Sequence, residues 1–226
     1  MFNLKSVIKC LPSEWTQIHF KSLNSKNFTE GQEKKIQTMT TKNIYKLKIT
    51  TKSEPPTSET FFHYKYGVQP DEFKEYYSVP FLTTIYTKLR SFQFKISHNI
   101  LFTNEKLFKI GLKQTDKCNL CKETTETLSH LFVECKYVNF LWKKIVENIL
   151  APFGIDRLSE LDILLGIKPS DNDKLNPIVN HVILETKYYI YVSSLNEQHP
   201  NYRHLKNRLK TTESIEESIA FKKRKN

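Results

Sequence analysis

The chain contains little glycine, with 5 among 226 residues. This scarcity disfavours glycine-rich phosphate-binding loops and turns that depend on glycine. No apolar run approaches the roughly 18 residues of a membrane-spanning helix, and residues 1–15 lack the apolar segment of a signal peptide. Cysteine is also sparse, with 4 residues, which argues against a disulfide framework. These absences predict an intracellular protein, cytoplasmic or nuclear, that does not enter a membrane.

Positive charge, by contrast, is in excess: the formal net charge is +11 and the pI is near 9.3. Residues 1–53, 81–113 and 201–226 are basic, whereas residues 54–80 and 114–200 carry a small excess of acidic groups. A basic surface of this kind indicates an anionic partner, with nucleic acid as the first candidate.

Apolar residues recur mostly at helical spacing, which predicts a mainly α protein. One amphipathic helix is expected to begin at Pro80, because proline suits a first helical turn. Its apolar stripe consists of Ile85, Leu89, Phe92 and Ile96. Other helices are predicted over residues 105–110, 125–135, 138–149, 158–165 and 174–196, and in the tail.

Three of the four cysteines and one histidine fall close together, with the spacing C-x2-C-x8-H-x4-C. The four residues are Cys118, Cys121, His130 and Cys135. Thiolate sulfur and imidazole nitrogen are the ligands that Zn²⁺ prefers, so the cluster is a candidate structural zinc site. The competing interpretation is a set of small buried cysteines beside a core histidine. The fourth cysteine, Cys10, lies far away in the sequence.

The spacing of His130 and Cys135 adds a geometric condition. On a straight helix the two side chains would point about 140° apart. If both bind one metal ion, the chain must change direction between them. We therefore expect a helix that carries His130, then a break, with Cys135 at the start of the next helix.

A longer ordered set of motifs surrounds the cluster. It comprises the residues Lys88-Leu89-Arg90-Ser91-Phe92-Gln93-Phe94-Lys95, His98-Asn99-Ile100-Leu101, Thr103-Asn104-Glu105-Lys106-Leu107, Cys118-Asn119-Leu120-Cys121, Glu126-Thr127-Leu128-Ser129-His130-Leu131-Phe132-Val133-Glu134-Cys135 and Leu141-Trp142. This order resembles the zinc-binding domain at the C-terminal end of LINE-type (non-LTR) retrotransposon reverse transcriptases. The strong likeness covers about residues 80–150.

The resemblance implies that Cys118, Cys121, His130 and Cys135 bind Zn²⁺. It also implies that the region helps a reverse transcriptase to hold its RNA template. The chain has no Asp-Asp pair of the kind that polymerase catalysis uses, nor an evident endonuclease set. We therefore expect a protein without enzymatic activity, corresponding to the part of such an element that follows the polymerase.

The expected architecture is a mainly α, zinc-stapled domain with extensions on both sides. Residues 1–60 are predicted to form an irregular basic N-terminal arm and linker. Residues 61–153 would form the zinc-binding domain. Residues 154–226 would form a helical extension with a basic tail.

The expected function is binding of nucleic acid, with RNA as the main partner, DNA as a second and the polymerase portion of a reverse transcriptase as a third. Phosphate contacts are predicted for the basic side chains near the cluster. These are Lys88, Arg90, Lys95, Lys106, Lys109, Lys113, Lys117 and Lys122. For any single one of them, an ordinary solvated helix face is an equal alternative.

Two other functions are kept open. In the first, the zinc is purely structural and the protein docks onto another protein through the aromatic stretch 61–77 and the apolar helix 174–196. In the second, the zinc is catalytic, which would need an open ligand position and a general base. Glu126 and Glu134 are not suited to that base because both fit a helix surface.

Overall fold

A computed structural model describes residues 40–42, 54–169 and 175–224. Most of the predicted N-terminal arm, including Cys10, lies outside these residues. The domain boundaries at residues 60 and 153 stay predictions. Within the described residues, no helix is both long and apolar enough to cross a bilayer.

The described part of the chain is mainly helical, which confirms the predicted fold class. The α-helices are α1 (Thr57–Tyr66), α2 (Phe73–Thr83), α3 (Thr87–Ser97), α4 (Asn104–Lys109), α5 (Lys136–Ile145), α6 (Glu160–Leu165), α7 (Asn176–Leu195) and α8 (Tyr202–Arg224). A π-helical turn, His130–Glu134, precedes α5, and a second one, Val146–Leu150, follows it.

The long helix α7 lies at the centre of the unit formed by residues 55–226. It packs against α2, α3, the π-turn His130–Glu134 and α8. Its buried residues lie on several sides of the helix, and Val179, Ile183 and Ile190 are among them. A helix that is apolar on several faces is one that belongs inside a core. One apolar core extends from Phe62 in α1 to Leu205 in α8.

The start of the amphipathic helix differs from the prediction. Pro80 lies inside α2, and the chain breaks at Thr84 before α3 begins at Thr87. Leu89, Phe92 and Ile96 are buried as expected, whereas Ile85 lies in the break and is exposed. The apolar stripe is therefore real, but it begins one turn later than the sequence predicts.

The aromatic stretch 61–77 contributes chiefly to the core. Phe62, Phe73 and Tyr76 are buried, and the Phe62 ring stacks on Tyr66 with centroids 5.7 Å apart. Tyr64 is the exception and points to solvent. The Phe62 and Phe73 rings, 6.3 Å apart, therefore join α1 to α2, which packs against α3 and α7.

Candidate metal centre

Cys118 and Cys121 lie in a tight turn closed by a short antiparallel bridge between Lys117 and Thr125. The Cys118 N–H donates to the Thr124 carbonyl at 2.8 Å, and the Lys122 N–H donates to the Cys118 carbonyl at 2.8 Å. Lys122 has a positive φ of 61°, which turns the chain sharply after the second cysteine. The turn thus brings both sulfur atoms to the same side.

His130 and Cys135 are brought together by the π-turn. The Cys135 N–H donates to the His130 carbonyl, five residues earlier, at 3.0 Å. Cys135 then adopts φ −58° and ψ 128° and becomes the residue before the first turn of α5. The predicted change of direction, with Cys135 at the start of the next helix, is confirmed.

The local sequence explains both ends of this turn. The Thr127 hydroxyl accepts a hydrogen bond from the His130 N–H at 3.0 Å, so Thr127 caps the turn. At the other end, the indole N–H of Trp142 donates to the Phe132 carbonyl at 2.7 Å. That bond satisfies a buried backbone oxygen in the interrupted helix.

The four candidate ligand atoms lie within 4.8 Å of one another. They are the sulfurs of Cys118, Cys121 and Cys135 and a ring nitrogen of His130. The Cys121 sulfur is 3.4 Å from His130 Nε2, and Glu134 lies 3.8 Å from the other ring nitrogen, Nδ1. The sequence predicted this set, and the fold brings all four residues together.

Burial and hydrogen bonding make this cluster unlike an ordinary apolar core. A hydrogen bond to Cys135, together with burial, raises the pKa of Cys118 to about 12. The same bond lowers the pKa of Cys135, against burial and with help from the backbone N–H groups of Tyr137 and Val138. A hydrogen bond with Cys118 raises the pKa of His130 to about 9. The four groups therefore compete for a small number of protons, which a metal ion would displace.

A buried carboxylate holds the cysteine turn in place. Glu126 is 3% exposed, so the expectation of a surface position is wrong. Its oxygens accept hydrogen bonds from the Asn104 N–H, the Asn119 N–H and the Ser194 hydroxyl, each at 3.1 Å. Glu126 thus joins the cysteine turn to the start of α4 and the end of α7.

Asn104 and Asn119 complete this network. The Asn104 amide donates to the Lys117 carbonyl at 2.6 Å and to Asn119 Oδ1 at 2.9 Å. Lys113 Nζ donates to Asn104 Oδ1 at 2.7 Å. The sequence analysis did not predict that Glu126, Asn104 and Asn119 form this network. The motifs that contain them, Thr103-Asn104 and Glu126-Thr127, were the available signal.

The predicted phosphate-binding side chains fall into two groups. In the first, the charged end is engaged within the protein: Arg90 with the Thr84 carbonyl, Lys106 with Asn99, Lys109 with Glu105, Lys113 with Asn104 and Lys122 with Glu197. In the second, the side chain is exposed and forms no ion pair with a carboxylate of the described residues: Lys88, which lies over the Tyr188 ring, Lys95 and Lys117. The nucleic-acid role of all eight stays a prediction.

Residues 40–142 match the family described as zinc-binding in reverse transcriptase. This segment is a reverse-transcriptase zinc-binding domain. It contains all four residues of the cysteine–histidine cluster and ends at Trp142, the donor to the π-turn. A region of this type is distinct from the catalytic domain of the polymerase. Neither a curated protein nor a solved structure matches the chain.

Proposed function

We propose that Cys118, Cys121, His130 and Cys135 bind one Zn²⁺ in a closed, four-coordinate site. The observation that carries the proposal is the convergence of three sulfurs and one imidazole nitrogen within 4.8 Å, inside a segment that matches a zinc-binding family. Four protein ligands leave no position for a reacting water, so the site is structural rather than catalytic. Zinc would cross-link the cysteine turn to the start of α5.

We further propose that the protein is a non-catalytic RNA-binding module of a LINE-type reverse transcriptase. The net charge of +11 and the exposed side chains of Lys88, Lys95 and Lys117 support a phosphate-binding surface. RNA in single-stranded form is the favoured ligand, because its unpaired bases are also open to contact.

Fluorescence anisotropy with a labelled single-stranded RNA at a series of salt concentrations tests this function. Replacing Lys88, Lys95 and Lys117 together by alanine should weaken binding and reduce the salt slope by about 2, since each phosphate contact on a single strand contributes about 0.7. A matched control replaces Lys136, Lys143 and Lys144, which removes the same charge from α5. The salt slope of this control variant should stay close to that of the wild type.

Two results would count against RNA binding at this surface. One is an affinity of the zinc-loaded wild type that does not depend on salt. The other is an equal loss in the α5 control, which would mean that only the total charge matters.

A second candidate function is docking onto a protein, and one observation favours it. The segment around α4 exposes several large apolar side chains while its lysines bind internal acceptors. The exposed apolar side chains are Ile100, Phe102, Phe108, Ile110 and Leu112. In contrast, Tyr76 and most of α7, on which docking was expected to depend, are buried. Replacing Phe108 by glutamate should then abolish binding to the polymerase portion and leave RNA affinity unchanged.

A further inference from the structure

Three aromatic rings form a stack along one side of α3. The His98 ring lies 5.0 Å from Tyr77, with an angle of 19° between the planes. On its other side it lies 3.9 Å from Phe94, at 27°. His98 Nδ1 is 3.0 Å from the Phe94 carbonyl, which fixes the orientation of the imidazole. Tyr77 and His98 are partly covered, whereas Phe94 is 52% exposed. Within the described residues, no further ring is stacked on Phe94.

The same face of α3 is basic. Lys88, Ser91 and Lys95 are exposed at the i, i+3, i+7 spacing of one helical face, and the exposed Phe94 lies beside that face, about 60° around the helix from Ser91. Lys88 Nζ lies 5.3 Å from the centroid of the Tyr188 ring. From Tyr76 to Asn104 the sequence contains no acidic residue, so α3 and the loops on both sides of it carry only positive charge. An open aromatic ring beside a basic helical face suits a ligand that is both polyanionic and aromatic.

We infer that this face of α3 binds unpaired nucleotides of an RNA strand, with a base stacked on Phe94. Lys88 and Lys95 would contact two phosphates of the same strand, since they are about 10 Å apart along the helix axis at 1.5 Å per residue. Stacking on an aromatic side chain tolerates any base, and the phosphate contacts carry no sequence information, so the surface binds single strands without strong sequence preference. The inference rests on the proposed RNA-binding function and gives it a location and a ligand form.

The test compares two labelled single strands of equal length, one ordinary RNA and one abasic RNA with the same phosphates. Fluorescence anisotropy is measured for the zinc-loaded wild type, Phe94→Ala, Phe94→Trp and Phe140→Ala. Phe140 is the matched control, because it is 64% exposed and lies on α5, where Lys144 is 5.8 Å from its ring centroid. Thermal unfolding of each variant checks that the fold is retained.

The wild type should bind ordinary RNA more tightly than abasic RNA. Phe94→Ala should lose roughly 5- to 150-fold in affinity for ordinary RNA and little for abasic RNA. Phe94→Trp should restore the affinity, and Phe140→Ala should resemble the wild type.

Equal binding of the two RNAs by the wild type, with a normal salt dependence, would overturn the stacking inference and leave the proposed function intact. The stacking inference is also overturned, with the proposed function intact, if Phe94→Ala and Phe140→Ala have the same affinity for ordinary RNA. No salt-dependent binding to either RNA would overturn both proposals.

Discussion

At the scale of single residues, Glu126 is the side chain that joins the cysteine turn to the rest of the fold. Its carboxylate accepts hydrogen bonds from two backbone N–H groups and one hydroxyl, on three separate elements. One of these donors, Asn119, lies between the two cysteines of the turn. Hydrogen-bond partners that orient metal ligands commonly change metal affinity when they are removed.

Replacing Glu126 by alanine should therefore weaken zinc binding about 10- to 100-fold. The zinc affinity would be measured by competition with a chelator of known affinity. Glu123→Ala is the control, since Glu123 is in the same loop but is exposed and pairs with Lys136 at the surface. If both variants bind zinc as tightly as the wild type, Glu126 does not position the cysteine turn.

A second buried ionisable side chain lies in α7. Lys187 is 1% exposed, and its Nζ donates to Gln93 Oε1 at 2.6 Å and to the Leu164 carbonyl at 2.9 Å. Burial lowers the pKa of Lys187 from 10.5 to about 7. Between these two values the unfolded chain binds a proton that the folded chain does not. The free energy of unfolding should therefore rise with pH above about 7.

The variant Lys187→Met removes this titration while keeping a long side chain. The difference in unfolding free energy between wild type and variant should be flat below pH 7. Above pH 7, the unfolding free energy of the wild type should rise relative to that of the variant by at most about 1.4 kcal/mol per pH unit. Urea denaturation of the zinc-loaded proteins from pH 6 to pH 9 measures it. A difference for Lys187→Met that stays constant from pH 6 to pH 9 would contradict the account.

At the scale of elements, the π-turn His130–Glu134 determines whether the metal centre can form. It places His130 and Cys135 beside each other, although their sequence spacing would separate them on a regular helix. The cost of the irregular turn is reduced by side chains that bind its free backbone groups. Trp142 and Thr127 are the two that do so.

Replacing Trp142 by phenylalanine should leave the Phe132 carbonyl buried without its donor. An unsatisfied buried backbone group costs about 1–3 kcal/mol. Urea denaturation should show a loss of that size, while Phe140→Leu on the exposed face of the same helix should change stability by less than about 0.5 kcal/mol. An unchanged stability of Trp142→Phe would mean that the π-turn does not need this bond.

The break before Cys135 could be predicted from sequence because it follows from the ligand spacing of His130 and Cys135 alone. The burial of Glu126 could not, because its partners Asn104 and Ser194 are distant in sequence and polar residues give no periodic signal. The prediction that a helix begins at Pro80 is also wrong. The core residues Phe73 and Tyr76 start α2 before it, so tertiary packing outweighs the usual preference of proline for a first turn.

At the scale of the whole molecule, the metal centre and the proposed RNA-binding face are separate parts of one helical unit. The cluster joins the cysteine turn to α5, and Glu126 connects that turn to the central helix α7. Helix α3 packs on α7, and Phe94 and Lys95 lie on the exposed side of α3. In the proposed function, zinc would therefore support the RNA-binding face through the core rather than by contact with RNA.

The central claim is a closed zinc site with three sulfur ligands and one nitrogen ligand. Metal analysis combined with X-ray absorption spectroscopy of the purified full-length chain tests it most directly. We predict one equivalent of zinc, with three sulfurs at about 2.3 Å and one nitrogen at about 2.0 Å. Zinc should be lost or greatly reduced in Cys118→Ser and in His130→Ala. A protein without zinc, or one with an oxygen ligand in place of a sulfur or of the imidazole, would contradict the account.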